Sequence, residues 1–328
     1  MRRHLDIPQI FCIFAPHYLY TTMINRLLTR IKTVQLVYAC LQNGQPFQHV
    51  DDQLMDSIEA SQKLCNYLLA LIVKVTDYRR AQFEQAKSKF LPTEEDLNPN
   101  TRFVDNKIPA LISEHSEILQ YCEDEKLTND FDTELYRSIL DEIEKMPEYE
   151  AYMAQKQPST FEQDRDLWRI IIETVFVDNE KLSEALEEKN IFWNDDFTTI
   201  LNYVVKTVAL LKPDSEVVLQ SNFNEEADRK FATDLYHFSL KEYYDNCRLI
   251  NAVASNWEAE RMGLMEKIIM SCAMTEIMHF IDIPVGVSIN EYIELAKHYC
   301  SPNSGRFVNG ILDKIVREWR AEKKIVKK

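Results

Sequence analysis

Ile283-Pro-Val-Gly-Val-Ser-Ile-Asn-Glu-Tyr-Ile-Glu-Leu-Ala-Lys297, followed shortly by Asn303-Ser-Gly-Arg-Phe-Val-Asn-Gly-Ile-Leu-Asp-Lys314, is the stretch on which the fold turns. Pro284 sets off a loop, and Ser288-Ile-Asn-Glu291 has the spacing of a capping box, whose hydroxyl and carboxylate satisfy orphan N–H groups at a helix start. A helix is predicted over 288–299. Ser301-Pro-Asn303 breaks it, and Ser304 is the expected N-cap of a last helix over 304–324. Projected at about 100° per residue, Val308, Ile311, Leu312, Ile315 and Trp319 share one arc, a core stripe. Arg306, Phe307, Gly310, Lys314 and Arg317 share the neighbouring arc. A ring can stack on a base, cations meet phosphates, and glycine permits close approach, which is the chemistry of single-stranded RNA binding. The same arc also fits a plainer role, with Phe307 at the core boundary and a solvated basic face around it. On the residues alone both readings stand.

Upstream, Leu27, Ile31, Val34, Tyr38 and Leu41 recur at helical spacing, which predicts an amphipathic helix from Met23 to Leu41 that stops at Asn43-Gly44. A longer helix is expected from about Asp51 into the 80s, through Leu54, Ile58, Leu64, Leu68, Ile72 and Val75. Leu91 to Thr101, rich in proline and asparagine, reads as a linker. Helices follow at about 108–122, 131–155, 161–175, 179–190 and 195–211, and Lys212-Pro-Asp-Ser215 breaks the pattern. After it come 225–245, 247–256 and 260–280. The expected segments are an extension over 1–22, N-terminal helices over 23–90, a helical insertion over 91–224 and a C-terminal domain over 225–328. The extension has Arg2-Arg3 ahead of an apolar stretch interrupted by Pro8 and Pro16, and is expected to be poorly ordered or to precede a true start at Met23.

Only five glycines occur in 328 residues, which argues against Rossmann sheets, phosphate-binding loops and all-β folds and favours an all-α chain. Seven scattered cysteines without a C-x-x-C pair read as reduced thiols of a cytosolic protein, with no metal or cofactor expected. No apolar run approaches the ~20 residues of a membrane span. The net charge of −15 is unevenly spread: residues 23–90 carry +3, residues 225–328 carry −1, and residues 91–224 carry −18. Charge therefore argues against RNA along the middle of the chain but not at its ends.

The two quoted blocks, their spacing and the upstream helix Met265-Glu-Lys-Ile-Ile-Met270 resemble the signature of NusB, the bacterial transcription antitermination family. The resemblance covers about 100 residues at the C-terminus and, less fully, Ile24 to Leu41. The middle lies outside the compact family pattern and looks like the insertion of longer NusB-like proteins. The resemblance implies a two-lobed helical bundle that catalyses nothing. It implies pairing with the small-subunit ribosomal protein that doubles as NusE, joint binding of boxA-type leader RNA of ribosomal RNA operons, and service in an RNA polymerase antitermination complex. Carried onto this chain, it implies RNA contacts from Arg26, Arg30, Gln35 and Tyr38 in the first helix and from Asn303, Arg306, Phe307, Lys314 and Arg317 at the end, with Glu266 at the NusE contact. Leu27 and Leu28 stand where further basic residues are common, which thins the patch and leaves room for help from Lys32. Tyr38 also lies on the core stripe, Asn303 replaces a frequent aspartate, and Ser271 replaces an arginine that can contact RNA. The run from Arg320 to Lys328 is expected as a frayed basic tail.

Two other readings compete. Glu276-Ile-Met-His279 has the E-x-x-H spacing of di-iron helical bundles, but such sites need a second pair, and the chain has no other. A helical adaptor that keeps the fold and has lost RNA is the second alternative.

Overall fold

The structure, a computed structural model, describes residues 17–44, 50–125, 132–190, 192–213, 226–254, 262–325 and 327. The extension at residues 1–16 and the question of its start lie outside them. Among the described residues there are fourteen α-helices and no strand. They are α1 (His17–Asn43), α2 (Val50–Lys87), α3 (Glu94–Leu97), α4 (Lys107–Ser113), α5 (Ser116–Asp124), α6 (Thr133–Ile143) and α7 (Pro147–Met153). Then come α8 (Phe161–Ile171, running on through a π-turn at Ile172–Phe176), α9 (Glu180–Lys189), α10 (Trp193–Leu210), α11 (Glu226–Ala254), α12 (Leu264–His279), α13 (Val285–Tyr299) and α14 (Ser304–Ala321). No helix among the described residues is long and apolar enough to cross a membrane.

The chain divides into two compact units: a discontinuous one of residues 1–58 and 220–328, and a middle one of residues 59–219. The boundary expected at residue 90 therefore moves into α2. That helix is continuous, but Leu54 and Ile58 belong to the core of the discontinuous unit, while Leu64, Leu68, Ile72 and Val75 are buried in the middle unit. The entire charge of −15 falls within residues 59–219, and the discontinuous unit is neutral.

In the middle unit several helices start on side-chain caps. Asn106 accepts from Ile108 N, Asp132 from Leu135 N and Asn179 from Leu182 N, and Thr160 and Gln163 form a capping box. The helix expected over 131–155 is two helices, because Pro147 lacks an N–H and takes the first-turn position of α7. The segment expected over 108–122 likewise breaks between Ser113 and Ser116. Buried Asp164 is fully partnered, accepting from Tyr152 Oη at 2.7 Å and Lys107 N at 3.0 Å.

In the discontinuous unit, α1, α11, α12, α13 and α14 bury one continuous core that includes Ile31, Val34, Tyr236, Ile269, Tyr292, Val308, Leu312 and Trp319. α11 is one helix where two were expected. α13 starts at Val285, directly after Pro284, so Ser288 lies inside its first turn and caps nothing. Asn303, not Ser304, is the N-cap residue of α14. The expected frayed tail is anchored. Lys323 adopts φ 57°, Lys323 N donates to Arg320 O at 3.1 Å and Lys324 N to Trp319 O at 2.8 Å, the two bonds of a Schellman stop. Ile325 is then buried, and Lys327 Nζ donates to Phe280 O at 2.8 Å and Glu276 O at 3.4 Å, meeting the carbonyl end of α12.

Candidate nucleic-acid interface

The wheel projection of α14 holds in three dimensions. Val308, Ile311, Leu312, Ile315 and Trp319 are buried, while Arg306, Gly310, Lys314 and Arg317 are exposed and Phe307 is half-buried against the core. Lys314 Nζ reaches Val253 O at 3.5 Å, and Arg317 lies 3.8 Å from Asp313 one turn back, so both cations stay at the surface. A Cβ at Gly310 would meet nothing within 4 Å, leaving the helix backbone open there. At Gly305 a Cβ would stand 2.9 Å from Lys297 Cγ, so this glycine is what lets α14 close on α13. The side chain of Asn303 is exposed and makes no cap hydrogen bond.

The first helix departs from expectation. Arg30 is 3% exposed and Glu276 0%, and they form a two-pronged ion pair: Arg30 Nε donates to Glu276 Oε2 at 2.8 Å and Nη2 to Oε1 at 2.9 Å. Ser288 Oγ donates to Glu276 Oε1 at 2.7 Å and Tyr292 Oη to Oε2 at 3.2 Å, while Glu291 stands 3.7 Å from Arg30. Burial opposes the charge on Arg30, but the hydrogen bonds and nearby carboxylates outweigh it and hold the guanidinium above its ordinary value. Burial, then the Glu276 charge, pushes the Tyr292 phenol well above its ordinary value. The expected phosphate contact of Arg30 is thus corrected: it shares a face with Val34 and Val37, and its donors are occupied inside the unit. Lys32, at 1% exposure, offers no surface charge either.

Other expected residues fall at the margins of this core. Arg26 is half-buried, with its guanidinium 5.3 Å from the centre of the Phe231 ring and its Nε without a hydrogen-bond partner among the described residues. Gln35 Nε2 donates to Tyr299 Oη at 3.1 Å, joining α1 to α13. Tyr38 packs partly against the core, and its hydroxyl accepts from Gln42 Nε2 at 3.1 Å. Glu266 is not a free carboxylate. It accepts from Gly263 N at 2.8 Å at the start of α12 and from Ser304 Oγ at the start of α14. Ser271 is buried and bonded to Asn246. The E-x-x-H pair is divided, with Glu276 on Arg30 and His279 Nε2 2.6 Å from Glu242 Oε1. Among the described residues no three His, Cys, Asp or Glu side chains gather as metal ligands would.

The buried pair escaped the wheel projections, yet the sequence holds a signal for it. Glu276 lies within a run, Ile268 to Ile277, in which every residue is buried, and a lone carboxylate there requires a cation. Arg30, one turn before Val34 on the core side of α1, supplies it.

Comparison with known proteins agrees with this architecture. The NusB family model matches residues 198–317, starting inside α10. The transcription antitermination protein NusB of Dictyoglomus turgidum is 47% identical over 97 residues, covering 29% of this chain and 66% of that protein. The NusB of Koribacter versatilis is 41% identical over 100 residues (30% of this chain, 68% of the relative), and that of Pseudothermotoga lettingae 30% over 125 residues (33% and 89%). The chain spans about two thirds of the length of the first of these curated relatives. No solved structure matches. With a helical core built on the two signature blocks and relatives of this similarity and coverage, the chain belongs to the NusB family.

Proposed function

We propose that the protein is a transcription antitermination factor that binds boxA-type leader RNA of ribosomal RNA operons together with NusE, within an RNA polymerase antitermination complex. The observation that carries this reading is the exposed arc of α14, where Arg306, Lys314 and Arg317 flank Phe307 and an unobstructed Gly310. The cations meet phosphates, the Phe307 ring stacks on a base, and the bare backbone at Gly310 lets the strand approach. Asn303 adjoins this surface at the start of α14, and Arg26, Gln35 and Tyr38 are proposed to add RNA contacts from α1. Arg30 acts behind it, holding α1 to α12 and α13. The NusE contact is assigned to the corner at the start of α12 whose shape Glu266 sets. The relatives' shared name, transcription antitermination protein, supports the role, and that name denotes no catalyst.

One observation favours the second reading, an adaptor without RNA: burial of Arg30 and Lys32 removes two cations from the first helix. Binding of a boxA-type RNA to the full chain, with and without NusE, separates the two. The proposal expects binding that NusE strengthens and that Phe307→Ala weakens by about tenfold, the scale of one lost stacking contact. An adaptor binds NusE and leaves the RNA free.

A further inference from the structure

The middle unit presents a feature that RNA binding by α14 does not use. Phe90 is 97% exposed, Leu91 81% and Leu97 52%, three large apolar side chains within eight residues. Single exposed apolar residues are common, whereas such a group on an ordered backbone marks a contact site. The backbone here is ordered by hydrogen bonds. Ser88 N donates to Gln85 O at 3.1 Å and Lys89 N to Ala86 O at 3.3 Å at the end of α2. Thr93 and Asp96 cap α3 reciprocally, Lys89 Nζ bonds Asp96 Oδ1 at 2.8 Å, and Leu97 N donates to Thr93 O at 3.1 Å. Beside the turn lies a cleft of about 250 Å³, lined by Gln82, Phe83, Ala86 and Pro99 among others.

Charge identifies the partner. The cations at this end of α2 are neutralised within the unit: Arg79 by Glu144, Arg80 by Asp77, Lys87 by Glu84 and Lys89 by Asp96. Glu94 and Glu95, exposed in the first turn of α3, have no ion pair among the described residues and stand beside the apolar group, in a unit that carries −15. A nucleic acid, an anionic membrane or a second copy of this unit would each be repelled. We propose that the Phe90–Leu91 turn, with Leu97, is a docking anchor for a basic protein partner, whose apolar pocket receives the two side chains and whose lysines or arginines face Glu94 and Glu95. The anchor is independent of the α14 surface.

The test uses the full chain and a defined probe, an amphipathic helical peptide of leucine and lysine about five turns long, with its glutamate-faced counterpart as control. Fluorescence anisotropy is expected to show saturable one-site binding of the lysine-faced peptide, weakened by salt and absent for the control. Phe90→Asp/Leu91→Asp is expected to weaken it by on the order of tenfold or more, as loss of a central anchor does. The same variant, folded by circular dichroism, is expected to bind boxA-type RNA unchanged, so failure of the anchor and failure of the RNA reading are told apart. Equal binding of the lysine-faced peptide by variant and parent reduces the feature to net charge and overturns the proposal, as does no binding by either. Self-association of the parent in sedimentation, lost in the variant, also overturns it and assigns the turn to a second copy.

Discussion

Arg30, at the middle of α1, and Arg306, in the first turn of α14, are both helical arginines, and burial gives them opposite tasks. Arg306 is exposed on α14, while Arg30 is bonded to Glu276 with Ser288 and Tyr292 completing the carboxylate's partners. Breaking a buried pair leaves an uncompensated charge, so Arg30→Ala is expected to lower stability by about 3–5 kcal/mol in urea denaturation. Arg30→Met/Glu276→Met is expected to lose less than the single variant, because neither charge remains; a double variant as unstable as the single one would show that packing, not charge, governs the site. Arg30 was expected at the RNA and its burial was not legible, since its partner lies 246 residues away and only the isolated carboxylate in an apolar helix signals it. Among the described cysteines, Cys65 and Cys272 are free thiols buried in the core. Burial pushes Cys65 and Cys272 up to about 12, Cys65 aided by Glu117 and Cys272 by Glu276. Neither is therefore expected to react with iodoacetamide at pH 8 until the protein unfolds, a difference that mass spectrometry of labelled peptides reads directly.

At the scale of elements, helix identity was legible because apolar spacing and breakers are local, whereas helix ends were decided by neighbours. Ser288 has the spacing of a cap, yet α13 starts earlier and the hydroxyl bonds Glu276 instead. Pro147 divides a predicted helix for a reason that is local and was there to be read. Three single-residue changes on or after α14 separate its constraints. Lys323 holds a left-handed φ of 57° at the Schellman stop, so Lys323→Gly is expected to raise stability by about 1 kcal/mol. Gly305→Ala is expected to lower it by about 1–3 kcal/mol, because the new Cβ meets Lys297 Cγ at 2.9 Å. Gly310→Ala has open space and should raise stability by about 0.8–1 kcal/mol while weakening RNA binding. Thermal denaturation checks all three. A Gly310→Ala variant with full RNA affinity would show that the strand does not approach the backbone there.

For the whole molecule, the division of charge matters more than its total. The neutral discontinuous unit carries the α14 surface, and the middle unit carries all of the −15. Counting charge along the chain located the acidity correctly, but the unit boundary was not visible because α2 runs through it without a break. The all-α class was legible in the scarcity of glycine and in helical spacing along the chain, and the final helix in the second of the two signature blocks. The first helix was misread in part because a single wheel cannot show which partner a polar side chain meets across a core.

The central claim, that the exposed cations of α14 and not Arg30 meet RNA phosphates, is tested most directly by the salt dependence of boxA-type RNA binding to the full chain with NusE. Arg306→Ala, Lys314→Ala and Arg317→Ala are each expected to reduce the steepness of log Kobs against log salt by about 0.7, one phosphate contact on a single strand. Arg30→Met/Glu276→Met is expected to leave that slope unchanged. Slopes unaltered by the three exposed substitutions, or a slope reduced by the buried pair, would contradict the account.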